Sequence, residues 1–403
     1  MFNKFSIFNF QFSIIIIALS AIMIACSSDD SDDPGDDPAV PAQRTVIAYF
    51  DGNNDLSSFL KGDIAEMETG SKNLSSTTNL IVFANIAGQK PYIAEMVNGK
   101  STKVREWDNT FLATHPDSML SVMQWIIDKY PANDYGIIFG GHGTGSLVKS
   151  NATKDIDTIP TTMRPAYAYG YDYNTSATQK PLMWMNTGTL ANVISHLSSR
   201  MSYNLKFIFF DCCLMQDYDV ACQLNKYARY LIAPVSETPS AGAPYHNIVP
   251  ILSIDNTEHL CDTLLTIYQT YCEQTALPIC ISAIRTRDVD DMQIKANAAL
   301  SEVKSNLPQP YDYSNVIYYH KEKNVTNPLL WDLKSFLYEQ NKKGYLSDAT
   351  YNAFVEAQKK CIFTSRKSSK WKSGSISDYD FTTFSVTDDN YGALSITKKA
   401  IEE

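Results

Sequence analysis

Two short stretches of this 403-residue chain hold side chains suited to covalent chemistry: Gly140-Gly141-His142-Gly143-Thr144-Gly145 and Asp211-Cys212-Cys213. A thiol attacks as the thiolate, and it needs a base from elsewhere in the fold to take its proton and later return it. An imidazole in a turn of small residues, which backbone or substrate can approach closely, is fitted to that task. Each stretch alone has a plainer reading, the histidine as a loop residue and the cysteine as small core filling. Both at one edge of a single sheet point instead to a nucleophile and its acid/base partner. Other assignments fail on residue type: the turn lacks the Lys-Ser/Thr of a phosphate loop, no glycine follows Ser146 as a nucleophile elbow requires, and no His-Glu-x-x-His occurs.

The elements that must carry these residues follow from apolar spacing. Strands are expected over 45–50, 80–84, 135–139, 205–210, 230–233 and 279–284, and helices over 55–69, 118–129, 187–200, 214–227 and 256–272. Runs such as LKFIFF and YGIIF suit strands buried on both faces, so the expectation is an α/β domain with a mostly parallel sheet covered by helices on each side. Ligands bind at the carboxyl ends of such strands, where both stretches fall. A helix directly after Cys213 also puts its thiol where the helix dipole favours thiolate. Residues 148–180, polar and aperiodic, read as a long surface loop. From 289 the pattern turns helical (289–307, 330–340, 347–361) and ends in β-like runs at 381–386 and 393–397. The expected organisation is a catalytic domain over 44–288 and a mainly helical extension over 289–403 packed on it.

Composition narrows the function further. With 44% apolar and 19% charged residues the chain can bury a core. The net charge is −10, of which Lys4 and the six aspartates between 29 and 37 supply −5, leaving −5 for residues 44–403. No basic face is available to replace phosphate counterions, which excludes a nucleic-acid partner; the one basic stretch, 366–372, reads as a solvated loop. The apolar run 10–24 closes with Met23-Ile24-Ala25-Cys26, a tetrad that resembles a bacterial lipobox with Cys26 as the lipidated residue. An uncleaved anchor helix is the alternative, and either one tethers residues 44–403 to a membrane outside the cytoplasm. Residues 27–43 read as a flexible acidic tether. Acidic runs after a lipidated cysteine resemble surface-export signals, so an outer-membrane lipoprotein is expected. Seven cysteines remain beyond Cys26, an odd number, so at least one is free. Cys261 and Cys272, close to three helical turns apart, should share a buried face, and no spacing fits zinc.

Longer stretches carry a resemblance. TVIAYFDGNNDL (45–56), KYPANDYGIIFGGHGTG (129–145) and FDCCLMQDYDVACQL (210–224), with Ser-Glu-Thr-Pro at 236–239 and Gly-x-x-Tyr at 242–245, are similar to the clostripain family of cysteine peptidases. The resemblance implies a caspase-like three-layer α/β/α sandwich and a cysteine endopeptidase. It makes Cys213 the nucleophile, His142 its partner, and the N–H groups of Gly143 and Cys213 the oxyanion hole. Cleavage after Arg or Lys is implied, with Asp211 in the pocket, although Asp211 could instead cap the next helix. No redox or nucleotide cofactor is implied. Some relatives depend on calcium, for which no ligand cluster can be mapped. Three departures are Cys212 for Ala, Gln216 for Gly and Ser146 for Trp, and the second acidic residue expected near 240–242 is missing. Relatives are often processed between these strands. Within 148–190, Arg164 and Lys180 precede proline, which leaves Lys149 and Lys154 as self-cleavage candidates. A catalytically degenerate, surface-anchored binding protein is the alternative function, but such a module needs neither His142 nor Cys213.

Overall fold

In the computed structural model the first apolar run is β1 (Ala42–Gly52), followed by α1 (Ser57–Gly70), β2 (Thr78–Ile86), β3 (Tyr92–Val97), β4 (Lys100–Glu106) and α2 (Pro116–Lys129). Next come β5 (Ala132–Gly140), β6 (Ala168–Asp172), β7 (Met183–Asn186), α3 (Thr187–Ser198), β8 (Leu205–Asp211), α4 (Tyr218–Leu224), β9 (Tyr230–Pro234), α5 (Tyr245–Ile248) and α6 (Thr257–Gln274). The rest is β10 (Cys280–Arg285), α7 (Val289–Asn306), β11 (Tyr318–His320), β12 (Leu330–Asp332), α8 (Leu333–Lys342), α9 (Asp348–Cys361) and β13 (Ile362–Lys367). Short β14 (Trp371–Lys372), β15 (Phe381–Thr382), β16 (Ser395–Thr397) and α10 (Lys398–Glu402) end the chain. The structure describes residues 41–147, 168–172, 183–307, 309–321, 328–368, 371–372, 381–382 and 386–402. The expected leader, the lipidated Cys26 and most of the tether lie outside them, as do Lys149 and Lys154.

Nine strands form one sheet in the order β13-β10-β9-β8-β5-β1-β2-β3-β4. The central five, β9 to β2, are parallel. β10 and β13 add antiparallel strands at one edge, β3 and β4 at the other. Strand periodicity explains the two apolar layers. Along β1, Ile47 and Tyr49 face a cluster covered by α2, α3, α4, α7, α8 and α9, while Val46, Ala48 and Phe50 face the one under α1, α5 and α6. On β8, Ile208 and Phe210 point to the first layer and Phe207 and Phe209 to the second. These phenylalanines are fully buried, and truncating one to alanine costs about 3–5 kcal/mol. The result is the expected three-layer α/β/α sandwich, with Cys261 and Cys272 both buried on α6.

Four expectations change. The helix expected over 214–227 is only Tyr218–Leu224, because Leu214 takes a positive φ of 65° and Asp217 caps the helix by accepting from the N–H groups of Asp219 and Val220. The thiol of Cys213 therefore stands before a turn, away from the helix terminus. Part of the expected surface loop is the buried strand β6, paired with β7, in which Tyr169 packs edge-on against Phe139 at 4.9 Å. Of the basic stretch, Arg366 and Lys367 belong to β13, and Arg366 pairs with Asp262 at 2.8 Å. Finally, β1 begins at Ala42, inside the expected tether.

The segment after Asp288 completes the sheet as well as packing on it. It supplies β13, the helices α7, α8 and α9, and a small sheet of β11, β12 and β16. The run 330–340, expected as helix, opens as β12 before Asp332 caps α8 through the Ser335 N–H. The described residues form one compact unit. Among the described residues, no helix is long and apolar enough to cross a membrane.

Candidate active site

Strand register brings the two reactive stretches together. β5 and β8 are neighbours, with Gly140 opposite Asp211, so His142 and Cys213 each lie two residues past the same sheet edge. The glycines of the histidine turn are there because backbone passes against backbone. A Cβ on Gly143 would stand 2.5 Å from the Cys213 carbonyl oxygen, and one on Gly145, at φ +55°, 2.3 Å from that of Leu214. No side chain fits between these turns. Gly143 and Cys213, whose N–H groups sequence similarity assigns to the oxyanion hole, are thus in direct apposition.

His142 is held by a group that sequence reasoning left unassigned. Its Nε2 lies 2.8 Å from Asp55 Oδ1, and the Tyr171 hydroxyl donates to the same oxygen at 2.6 Å. The ring stacks on Tyr171 at 4.7 Å and meets Trp184 edge-on at 6.2 Å. The hydrogen bond from His142 holds the Asp55 carboxyl well below the usual carboxylate range. Asp55 sits in the turn after β1, where Asn54 donates to the carbonyls of Asp51 and Tyr171 and accepts from the Leu56 N–H. The Asn-Asn-Asp-Leu of the resemblance was the available signal. Tyr171 and Trp184 had none, since both come from the region read as loop or its margin.

The two adjacent cysteines differ completely. Cys212 is fully buried, its thiol donates to the Phe139 carbonyl at 3.2 Å, and burial pushes that thiol well up. Cys213 is half-buried, and its sulfur lies 3.4 Å from both the Thr238 hydroxyl and the Thr238 N–H. Thr238, in the Ser-Glu-Thr-Pro stretch after β9, is a second contact that residue type alone did not single out. No disulfide joins any two of the seven described cysteines.

Asp211 does not cap a helix. It accepts from the Ala243 N–H and the Tyr245 hydroxyl, each at 2.9 Å, and from the Tyr268 hydroxyl at 3.1 Å. Asp63, from the buried face of α1, converges on the same place: a Cβ on Gly242 would lie 2.9 Å from an Asp63 oxygen and 3.1 Å from an Asp211 oxygen. Burial, and then the charge of Asp211, push the Asp63 carboxyl up to about 9. Its sequence signal was an acid inside an apolar stripe, between Leu60, Ile64 and Met67.

A second buried acid pair anchors β6 against the histidine turn. Asp172 accepts from the Asn85 side chain at 2.6 Å and from the N–H and hydroxyl of Thr114 at 2.9 and 3.1 Å. Burial and the nearby Asp172 charge push the Asp51 carboxyl well up. The Gly170 N–H then donates to the His142 carbonyl at 2.8 Å. Among the described residues, no three His, Cys, Asp or Glu groups converge on a point where a metal ion could sit.

Residues 48–388 match the family model described as Clostripain family. No curated protein sequence matches the chain. Among solved structures, a secreted C11 cysteine protease from Bacteroides thetaiotaomicron bound to an irreversible peptide inhibitor superposes with a TM-score of 0.68 at 22% identity, covering 88% of this chain and 92% of that one. An inactive zymogen C11 protease from Parabacteroides distasonis gives 0.68 at 18% identity, over 89% and 92%. At such identities the likeness concerns the fold, and it extends through the segment after Asp288. With the family model spanning most of the sequence and the same fold around it, the chain belongs to the clostripain family of cysteine peptidases.

Proposed function

We propose that this chain is an exported cysteine endopeptidase that cleaves after Arg or Lys, with Cys213 as nucleophile and His142 as its acid/base partner. The observation that carries the reading is the Gly140–Asp211 register, which sets His142 and Cys213 at one sheet edge with Gly143 against the Cys213 carbonyl. Asp55, bound to His142 Nε2, is the positioning residue that leaves Nδ1 for the thiol. The Cys213 thiolate attacks the peptide carbonyl, and the Gly143 and Cys213 N–H groups take up the oxyanion. The imidazolium then protonates the leaving amine, and water hydrolyses the acyl-enzyme with His142 as base.

Asp211, beside the nucleophile in sequence and buried, is the group that recognises the basic side chain. Substrates are peptides or proteins. Lipidation at Cys26 would tether the enzyme to the outer membrane, and Lys149 and Lys154 are its own cleavage points. Paired fluorogenic peptides ending in Arg, Lys, citrulline or norleucine test the reading, with Cys213→Ala as control. No hydrolysis by the wild type, or equal hydrolysis by Cys213→Ala, overturns it. Lipid labelling lost in Cys26→Ala tests the tether. Mass spectrometry of wild type and Cys213→Ala tests self-cleavage.

A further inference from the structure

The stretch 240–242, Ser-Ala-Gly, offers no acid to share the recognition of a cation with Asp211. The fold brings one from elsewhere. Asp63 lies on the face of α1 that packs into the apolar layer, and only 3% of it is exposed. Its carboxylate accepts no hydrogen bond from any described residue, whereas Asp211 is met by three donors. Both carboxylates aim at one point over Gly242, where any side chain would collide with them. The residues just before Gly242, Ser240 and Ala241, are exposed. Asp211 is also two residues from Cys213, which ties the acid pair to the attacking sulfur.

We propose that Asp63, reaching across from α1, is the second carboxylate of the pocket and determines selectivity for a guanidinium or ammonium side chain. The inference rests on the reading of Asp211 as the floor of that pocket. An unpartnered buried acid is costly in a helix face and gains nothing from its present neighbours. A cation between the two carboxylates supplies the missing partner. Asp63, which holds a proton in the free enzyme, gives it up to solvent when the cation enters, so one proton leaves per basic side chain bound. The other groups around the pair are Glu66 on α1, Tyr245 and His246 on α5, and Tyr268, Tyr271 and Cys272 on α6. His246 is engaged with Glu66 at 3.1 Å.

Asp63→Asn copies the shape of the protonated acid, so the variant keeps the fold. Its kcat/KM on arginine and lysine peptides should fall about ten- to hundredfold, through KM, as expected for losing one charge-assisted contact. The preference for arginine over its neutral isostere citrulline should fall by the same factor. Binding of an arginine peptide to Cys213→Ala should release a proton, read by calorimetry in buffers of different ionisation enthalpy, and the release should vanish when Asp63→Asn is added. If the wild type prefers arginine to citrulline and Asp63→Asn keeps that preference, the inference is wrong while the reading of Asp211 stands. If the wild type has no such preference, both fall. Equal losses on arginine and citrulline peptides with a lowered melting temperature would make Asp63 structural and overturn the proposal.

Discussion

At Cys213 the chemistry depends on which of two adjacent thiols reaches the cleft. Cys212 points into the layer containing Phe139 and Phe210, while Cys213 borders Leu147, Leu214 and Val235 on the side of Thr238. Cys213→Ala should therefore lower kcat/KM roughly 10^4-fold or more, whereas Cys212→Ala, which loses one buried sulfur, should keep activity within about tenfold. Hydrolysis assays on both purified variants check this, and a dead Cys212→Ala would mean that the wrong cysteine has been assigned. Asp55 makes the second prediction. Its depressed carboxyl is a folded-state preference for the ionised form, present above the ordinary carboxylate range and lost only as pH falls well below it. The carboxylate is thus ionised throughout the range above the ordinary carboxylate values. Asp55→Asn should lower kcat/KM about ten- to hundredfold and slow the labelling of Cys213 by a peptide alkylator, because a neutral amide holds the His142 ring less firmly than a carboxylate. Hydrolysis and labelling rates equal to those of the wild type would remove Asp55 from the mechanism.

Two elements make predictions of their own. The histidine turn and the cysteine turn touch through glycine, so Gly143→Ala must push the Cys213 carbonyl away by several tenths of an ångström. Turnover and the rate of Cys213 labelling by a peptide alkylator should both drop more than about tenfold, with circular dichroism unchanged, because small misplacements at reacting atoms are costly. Helix α1 joins the two halves of the site, with Asp55 just before its start and Asp63 in its second turn. Asp63 is raised above its unfolded value of about 4, so folding takes up a proton between that value and about 9, and stability falls as pH rises through the window. Asp63→Asn removes this penalty. It should melt roughly 2–6 °C higher than wild type at pH 8, with the gap narrowing towards pH 5. Differential scanning calorimetry at both pH values decides, and a lower melting temperature at pH 8 would contradict the assignment. A helix thus retains an acid that costs stability at neutral pH, as residues kept for function commonly do.

On the scale of the whole molecule, the segment after Asp288 is part of the sheet. β13 covers the edge of β10, and α7, α8 and α9 close one apolar layer. A chain ending at Asp288 exposes that layer and should fail to unfold cooperatively, read by heat denaturation. A sharp transition in the truncated chain would show the first part to be self-sufficient. The strand β13 was not legible because IFTSRK reads as neither an apolar run nor a clean alternation; its pairing with β10 is decided by the edge it meets. Likewise β6 holds aromatic residues amid polar ones, and only its packing on Phe139 makes it a buried strand. Local chemistry did determine much. Continuous apolar runs specified the five parallel strands, because a strand buried on both faces is apolar along most of its length. In the structure the side chains of Asn186, Asn256 and Ser347 cap their helices, because a terminus must satisfy its own N–H groups. The glycine-flanked His142 and the Asp-Cys-Cys stretch identified the chemistry from residue type. Tertiary structure alone decided which thiol faces the cleft, which carboxylate holds His142, and which acid stands beside Asp211. Those are contacts between residues 87 positions apart for Asp55 and His142 and 73 for Phe139 and Cys212, each joining distant segments of the chain. No local propensity encodes them, because they exist only once the register of β1, β5 and β8 has been set.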